Sequence, residues 1–314
     1  MPRLPRLWSD SDAAFDNNNW GQLLNEYLRV EHGADGVHAI GKSVHGHVQL
    51  SAPAVGTGLT DPNVISLAPI HGGGLLVKSP AGVWEYVDFQ SQNSIEGDRT
   101  NCFLNGTAGQ TLAANTFYYV GVKRVGATAV LNFSTAGQTK TADYFVEVFV
   151  NDSSTSLVGH VYTLNNSFLF DPLAGRSVVS NWFPTGNQFG IDVPQISLAI
   201  SDTDYVKLGT GTLDCHLVTN SSKLFWATAL GYASNSTAGA DCFLQLRAIN
   251  AAGGLNGSGN ESAGTSNAAN DKVSLSSILG QPFAQGYYRF EAWAKVSAGT
   301  GTFVLRTSVL CLSA

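Results

Sequence analysis

Alternation between apolar and polar residues dominates the chain from Leu75 onward and predicts β-strands. Short runs rich in β-branched and aromatic residues recur there, and turn residues such as Ser79-Pro80 separate them. About seven such runs lie within 75–164, and a second series occupies 204–314. Short strands at this spacing are typical of antiparallel sandwiches or barrels. The pattern therefore predicts a mainly β chain with two antiparallel β-sandwich domains that are jelly-roll-like.

One stretch near the N-terminus follows a helical period instead. Its apolar residues recur at i, i+3, i+4, i+7 and i+8, which predicts a short amphipathic helix. Asp16 and the asparagines after it offer N-cap side chains, and Gly33 can end the helix. Because a lone helix of about a dozen residues is marginal in water, the stripe has to contact its own chain, identical helices or another protein. The stripe consists of Trp20, Leu23, Leu24, Tyr27 and Leu28.

Composition shifts divide the chain into four predicted segments. Prolines and glycines interrupt the region after residue 165, which marks a connector, with 176–183 a candidate strand against the first domain. A stretch at 250–271 is built almost wholly of small neutral residues and predicts a long functional or disordered loop. The predicted segments are 1–48 with the helix, 49–175 as the first β domain, 176–203 as a linker, and 204–314 as the C-terminal β-sandwich.

The charge content narrows the classes of partner. Only 13% of residues are charged, and the formal net charge is −6 without any run of lysines or arginines. A nucleic-acid-binding protein needs a basic face, so nucleic acid is not an expected partner. No stretch approaches the roughly 20 apolar residues of a membrane span, and the first residues lack the apolar region of a signal peptide. These features predict synthesis in a cytoplasm, with no membrane partner.

The four cysteines have no CxxC spacing, so zinc and thioredoxin-type redox chemistry have no support. Strand alternation places Cys242 and Cys311 on apolar faces, where cysteine behaves as a small hydrophobic residue. We therefore expect buried free thiols. The four are Cys102, Cys215, Cys242 and Cys311.

Two stretches resemble parts of known proteins. The segment from Trp20 to His38, WGQLLNEYLRVEHGADGVH, resembles the N-terminal segment of many tailed-phage and prophage fibre or spike proteins, which commonly read L-N-x-[FY]-L-x-V-E-H-N-x-D-G-T-H. Here a glycine replaces the common asparagine, and a valine replaces the common threonine. The segment TLAANTFYYVGV at 111–122 resembles L-x-A-N-T-x-Y-Y-V of a β domain in phage fibres, and LVGHVYT at 157–163 occupies the place of its later strand. The resemblance covers about the first 180 residues.

This resemblance implies a homotrimeric virion appendage of the tail-fibre or head-spike kind, as phages and gene transfer agents carry. It would be made in the bacterial cytoplasm and exposed on the particle. Residues 1–48 would attach to another virion protein and trimerise through the helical stripe, with Trp20 and Tyr27 also contacting that virion partner. Residues 204–314 would bind the host receptor, a cell-surface polysaccharide.

The pair His45 and His47 has two interpretations. In a parallel trimer, an HxH pair from each chain places six imidazoles around one axial metal ion, and imidazole suits iron, nickel or zinc. Phage fibre tips that resemble this arrangement hold iron. The simpler interpretation, which we favour, is that both histidines are solvated residues of a Gly-rich linker. No other cofactor is expected.

The strand at 287–296 is the most informative part of the C-terminal half. Period two assigns one face to the core, with Tyr288, Phe290, Ala292, Ala294 and Val296. The other face interleaves aromatic and charged residues, which suits either sugar recognition or a subunit interface. As an alternative, loops could hold the glycan, with Asn235, Asp241 and the 250–271 stretch as candidates. The candidate glycan-binding residues are Tyr287, Arg289, Glu291, Trp293, Asn235 and Asp241.

Catalysis has little support in the sequence. A polysaccharide depolymerase needs two carboxylates about 5 to 9 Å apart, and phage enzymes of that kind resemble long repeated β-helices, of which no repeat is seen here. No G-x-S-x-G nucleophile motif occurs. We therefore expect a non-enzymatic virion protein that attaches the particle to its host. The alternatives are a purely structural head-decoration or baseplate protein and a polysaccharide depolymerase.

Overall fold

The computed structural model describes residues 46–52, 61–88, 94–142, 146–168, 176–183, 190–193, 195–209, 213–220 and 223–312. Within these ranges the chain forms strands, turns and bends but no helix, so the prediction of a mainly β protein is confirmed for them. The predicted N-terminal helix lies outside the described residues.

The first half of the described chain forms two sheets. Sheet I contains β1 to β4, and sheet II contains β5 to β11 in the order β6-β5-β8-β7-β11-β10-β9. Their facing sides enclose one apolar core. The strands are β1 Gly46–Ser51, β2 Val64–Lys78, β3 Trp84–Asp88, β4 Ile95–Asp98, β5 Cys102–Leu104, β6 Thr107–Gln110, β7 Phe117–Val125, β8 Thr128–Ser134, β9 Gln138–Lys140, β10 Glu147–Phe149 and β11 Asp152–Tyr162.

The segment 176–203, predicted as a linker, contributes strands to both halves of the chain. The first and second of its four strands join sheets III and II respectively, and the other two join sheet IV. The strand predicted at 176–183 against the first domain is confirmed in part, because residues 179–181 pair with β11. Prolines and glycines hid the strands at 190–192 and 196–200, which are only three and five residues long. The strands are β12 Arg176–Ser177, β13 Val179–Asn181, β14 Gly190–Asp192 and β15 Ile196–Ile200.

The C-terminal half is a sandwich of sheets III and IV. Sheet III has the order β12-β17-β23-β19-β20, with β16 on β23 and β21 on β19; sheet IV has the order β14-β24-β18-β22, with β15 on β24. A single core fills the space between them. The remaining strands are β16 Val206–Lys207, β17 Cys215–Thr219, β18 Lys223–Asn235, β19 Asp241–Asn250, β20 Leu255–Ser258, β21 Ser262–Thr265, β22 Lys272–Phe283, β23 Gly286–Val296 and β24 Gly301–Leu312.

The core confirms the face assigned to β23. All five residues predicted to point inward, Tyr288, Phe290, Ala292, Ala294 and Val296, belong to the sandwich core. Three cysteines, Cys102, Cys215 and Cys242, are buried and free, as expected. Burial raises the pKa of the Cys102 thiol to about 11, so it stays protonated at neutral pH. The Cys311 side chain lies outside the described residues.

The 250–271 stretch is not one long loop, so this prediction was wrong. It contains two short strands, β20 and β21, which both pair antiparallel with β19 and together form an interrupted edge strand of sheet III. The segment between them covers the free edge of sheet IV, because the Asn260 side chain accepts a hydrogen bond from Ile278 N at 2.6 Å and donates one to Ser276 O at 3.2 Å. Small residues are favoured here because this edge strand packs closely on β22, and covering an edge strand prevents pairing with other chains.

The two stretches of sheet II that resemble phage fibres are neighbours in space. β7 and β11 pair antiparallel, with Tyr118 opposite Val161. At their shared end Asn115 adopts a φ of 49°, and Thr163 Oγ1 donates to Ala113 O at 2.6 Å while accepting from Thr116 N at 3.0 Å. Asn115 and Thr116 of one motif and Thr163 of the other therefore form a single turn. These motif residues shape the fold at this position.

We expect Thr163→Val to lower the free energy of unfolding by about 1–3 kcal/mol, because it leaves a backbone donor and acceptor without their partner. Thr116→Val is the matched control, since its hydroxyl bonds only to Ala114 O at the surface; we expect a change within about 0.5 kcal/mol. Urea denaturation followed by fluorescence measures both. Equal costs for the two variants would contradict this role of Thr163.

Candidate functional site

The outward side of sheet III gathers the predicted residues of β23 with residues from two neighbouring strands, β19 and β16. Strand pairing places Arg247 of β19 opposite Glu291, and Gln245 of the same strand opposite Trp293. On the other side of β23, Lys207 of β16 lies opposite Trp293. The predicted strip on β23 is therefore the centre of a wider polar and aromatic surface.

Two buried carboxylates lie under this surface. Glu291 is 1% exposed and Asp214 is 2% exposed. Lys207 Nζ lies 2.6 Å from Asp214 Oδ2 and 2.9 Å from Glu291 Oε1, and it bridges the two acids. Arg289 Nε also pairs with Glu291 Oε1, and Trp293 Nε1 donates to Glu291 Oε2 at 2.9 Å. Glu291 thus orients a lysine, an arginine and a tryptophan at once.

The two buried carboxylates differ in how many of their oxygens have hydrogen-bond partners. Asp214 Oδ1 is buried without a hydrogen-bond partner. Desolvation raises the pKa of Asp214, although its hydrogen bond with Lys207 opposes that effect. Both oxygens of Glu291, in contrast, have partners. The network therefore depends more on Glu291 than on Asp214.

Above the carboxylates, cationic side chains lie over aromatic rings. The Arg247 guanidinium carbon lies 4.4 Å from the Trp293 ring centroid and 5.0 Å from that of Tyr205. Lys295 Nζ lies 4.6 Å from the Tyr205 centroid and 4.8 Å from that of Phe243. We call these five residues the cation–aromatic face. Each such contact is worth about 0.5–1 kcal/mol at an exposed site, so together they hold the rings in place.

The Tyr205 hydroxyl extends the cation–aromatic face toward the segment between β20 and β21. It donates to Glu261 Oε2 at 2.5 Å, and Lys295 Nζ lies 3.9 Å from the same oxygen. Burial, and then the hydrogen bond to Glu261, raise the pKa of Tyr205, so the phenol remains a donor at neutral pH. The segment between β20 and β21 therefore supplies a carboxylate at the edge of this surface.

Tyr287 belongs to the contact between the two halves of the chain. Its ring stacks on that of Tyr162 at a centroid distance of 3.6 Å, and its hydroxyl is 2.5 Å from His216 Nδ1. Val178 and Val218 complete this small apolar cluster. Tyr287 is only 4% exposed, so it joins the sheets and is not part of the exposed surface.

Asn235 and Asp241 lie at the far end of β23, beside the turn between β23 and β24. Asn235 is fully buried; its side chain donates to Ala298 O at 2.9 Å and accepts from Thr237 N at 2.9 Å. Asp241 accepts from Thr265 Oγ1 at 2.5 Å. The structure therefore places both in local turn contacts. Asn235 lies away from the cation–aromatic face, whereas Asp241 lies at its edge, two residues before Phe243 on the same side of β19.

The predicted trimerisation stripe and His45 lie outside the described residues. The backbone of His47 belongs to β1, but its side chain is not described. Among the described residues no group of three His, Cys, Asp or Glu side chains could hold a metal ion. No helix in the described part of the chain is long and apolar enough to cross a membrane.

The sequence analysis did not identify three residues of the cation–aromatic face, or the lysine that bridges the two buried acids beneath it. Arg247 and Phe243 alternate outward along β19, and Lys207 and Tyr205 alternate around the short β16. That alternation is visible in the sequence. Their position beside Trp293 depends on the strand order and register, which no local pattern contains.

No family model matches the chain, and no curated protein matches it. Among solved structures, it is similar to Eiger TNF from S. frugiperda, with 12% identity, 40% of this chain and 93% of that chain covered, and a TM-score of 0.30. It is also similar to the infectious bursal disease virus VP2 subviral particle, with 11% identity, coverage of 84% and 70%, and a TM-score of 0.31. The T13 particle of that virus gives 9% identity, coverage of 80% and 63%, and a TM-score of 0.34. Likenesses at these TM-scores assign no function to this chain.

Proposed function

We propose that the chain is a non-enzymatic fibre or head spike of a phage or phage-like particle, and that it binds a host-surface or capsular polysaccharide. The cation–aromatic face of sheet III carries the binding part of the proposal. The virion part, with a homotrimer attached through residues 1–48 to another virion protein, rests on the two sequence resemblances.

The cation–aromatic face has the chemistry that a sugar ring requires. The C–H side of a pyranose packs on an aromatic ring, and Trp293 is a partly exposed ring at the centre of the face. Arg247, Lys295 and Gln245 surround it with donors for hydroxyl or carboxylate oxygens. Because ion pairs and cation–ring contacts already order these side chains, little conformational entropy is lost on binding.

The buried acids have a supporting role in this proposal. Asp214 and Glu291 are nearly inaccessible and ion-paired, whereas a glycosidase needs carboxylates that reach the scissile bond. We assign Trp293 and Arg289 to glycan contact, and Glu291 to positioning both of them. Single sites of this size bind weakly, so several copies on one particle would raise the effective affinity through avidity.

We expect Trp293→Ala to weaken glycan binding at least about tenfold, since an anchoring aromatic side chain contributes about 1.4 kcal/mol or more. An array of bacterial surface polysaccharides identifies the ligand, and titration of the full chain measures the loss. Val83→Ser is the control, because Val83 is 60% exposed in the first half of the chain and far from the face in sequence and sheet.

Three other outcomes would each reject part of the proposal. A wild-type protein that binds no polysaccharide on the array rejects attachment by glycan and favours a purely structural decoration or baseplate role. Release of reducing sugar from capsule makes the chain a depolymerase. Unchanged glycan binding by the Trp293→Ala variant would show that the glycan binds to another surface of the chain.

A further inference from the structure

The cationic side chains around the cation–aromatic face differ in whether a carboxylate compensates their charge. Lys207 and Arg289 pair with the buried acids beneath the face. Lys295 lies 3.9 Å from Glu261 Oε2 at its edge. Arg247, in contrast, forms no ion pair with any carboxylate of the described residues. Within this group of four cations, Arg247 therefore carries the charge that the protein leaves uncompensated.

The Arg247 guanidinium is held through one nitrogen and through its flat surface. Nε donates to Gln245 Oε1 at 3.0 Å, and the guanidinium carbon lies 4.4 Å from the Trp293 ring centroid and 5.0 Å from that of Tyr205. No described residue accepts a hydrogen bond from Nη1 or Nη2, and neither of these atoms is buried. The end of the guanidinium that carries both terminal nitrogens is therefore ordered and open to solvent.

The acid that strand pairing places opposite Arg247 is already occupied by other partners. This acid is Glu291. Its Oε1 pairs with Lys207 and Arg289, and its Oε2 accepts from Trp293 Nε1. The charge of Glu291 is thus compensated from below the face, which leaves the two terminal nitrogens of Arg247 to a ligand.

Two carboxylates at the edge of the face are engaged elsewhere. Asp241 accepts from Thr265 Oγ1 and precedes Arg247 by six residues on β19, which is about 20 Å along a strand. Charges on the surface are largely screened beyond about 8 Å at physiological salt, so Asp241 does not oppose an anion at Arg247. Glu261 accepts from the Tyr205 hydroxyl. The centre of the face therefore remains positive on a chain whose net charge is −6.

We infer that the glycan bound by this face is acidic, and that Arg247 binds a carboxylate of one of its sugars through Nη1 and Nη2. This inference rests on the proposed function. An arginine fork donates two parallel hydrogen bonds to a carboxylate, and such charge-assisted bonds are stronger than neutral ones. A carboxylate also carries one negative charge, which matches the single uncompensated cation. Because Trp293 lies beside Arg247, one uronic acid residue can contact the ring and place its acid group at the guanidinium.

Pairs of polysaccharides that differ only in their carboxyl groups test the inference. Carbodiimide activation followed by borohydride reduction converts uronic acid residues into neutral sugars and keeps the glycosidic linkages. An array presents each carboxylated bacterial polysaccharide beside its reduced form, together with neutral and phosphate-containing polymers. The full chain should bind at least one native carboxylated polymer, and reduction should weaken that binding at least about tenfold, since hydrogen bonds to charged groups contribute more than neutral ones.

Arg247→Gln tests the residue that the inference assigns. It keeps a hydrogen-bond donor but removes the charge and the fork, so the ratio of the dissociation constants for reduced and native polymer should fall to about one. Lys272→Gln is the matched control, because it removes a cation whose Nζ lies 4.6 Å from the Tyr232 ring centroid on sheet IV. This control should keep the wild-type ratio. Far-UV circular dichroism verifies the fold of both variants.

The comparison of native and reduced polymers uses the wild type alone, so it does not depend on the folding of any variant. Equal binding of the two forms would overturn the inference while the proposed function stands. A neutral ligand, or binding that depends on phosphate groups, would overturn it in the same way. An unchanged ratio in Arg247→Gln would show that another residue binds the carboxylate. Binding of no polysaccharide would reject the proposed function and the inference with it.

Discussion

Glu291→Gln is expected to lower the free energy of unfolding by about 2 kcal/mol. Removing one partner of a buried ion pair typically costs about 3–5 kcal/mol, because the remaining charge stays buried without compensation. Here Lys207 and Arg289 keep about 26% and 35% of their side chains exposed, so water can partly compensate them and the cost falls below that range. The substitution also weakens the acceptor for Trp293 Nε1.

Asp214→Asn is the matched comparison for this prediction. Asp214 is equally buried, but one of its oxygens has no partner, and burial already raises the pKa of its carboxyl group. Neutralising it therefore removes a desolvation cost together with an ion pair, and we expect a change of less than about 1 kcal/mol. Chemical denaturation of both variants measures the difference. Equal or reversed costs would show that Glu291 is not the organising acid.

The alternation of apolar and polar residues along strands predicted the structure better than any other pattern in the sequence. It assigned both faces of β23 correctly, because period two follows from backbone geometry alone. The same signal was weak at 184–203 and 250–271, where the strands are three to five residues long, several contain glycine or small polar residues, and prolines lie between some of them. Those strands exist because they pair with long neighbours, and a pairing partner cannot be read from local composition.

The sequence predicted the chemistry of the candidate site, an outward surface of aromatic and charged side chains, but not which residues form it. The sequence placed four candidate residues on the outward face of β23. Trp293 and Arg289 are partly exposed there, whereas Glu291 and Tyr287 are buried. Glu291 is buried because Lys207 of β16 closes over it, and Tyr287 because Tyr162 of the other half of the chain stacks on it. Both partners are far away in sequence, so burial on this face depends on topology.

His160 is expected to make the folded chain less stable at acidic pH. It is fully buried in sheet II, and Nδ1 has no hydrogen-bond partner. Nε2 contacts Gln285 from the C-terminal half of the chain and Gln138 at 3.3 Å. Its described ring neighbours, Phe117, Tyr119 and Trp182, are uncharged and stabilise no imidazolium through an ion pair.

Burial lowers the pKa of His160 from 6.5 to about 3. Below pH 6.5, His160 of the unfolded chain therefore binds a proton, whereas His160 of the folded chain stays neutral down to about pH 3. Stability from this group is complete above pH 6.5 and is lost as the pH falls through the interval between the two values. At 1.36 kcal/mol per pKa unit, the loss between pH 7 and pH 4.5 is about 2.5 kcal/mol.

We expect His160→Phe to remove this acid-dependent loss, because phenylalanine fills the aromatic site without a titrating group. The free energy of unfolding of the wild type should fall between pH 7 and pH 4.5 by about 2.5 kcal/mol more than that of the variant. Urea denaturation at both pH values measures the difference. Gln285→Ala is the control: it removes a contact of His160 but keeps the buried imidazole, so its pH dependence should match the wild type. Parallel pH profiles for the wild type and His160→Phe would mean that His160 is protonated in the folded chain, and that the junction between the two halves tolerates its charge.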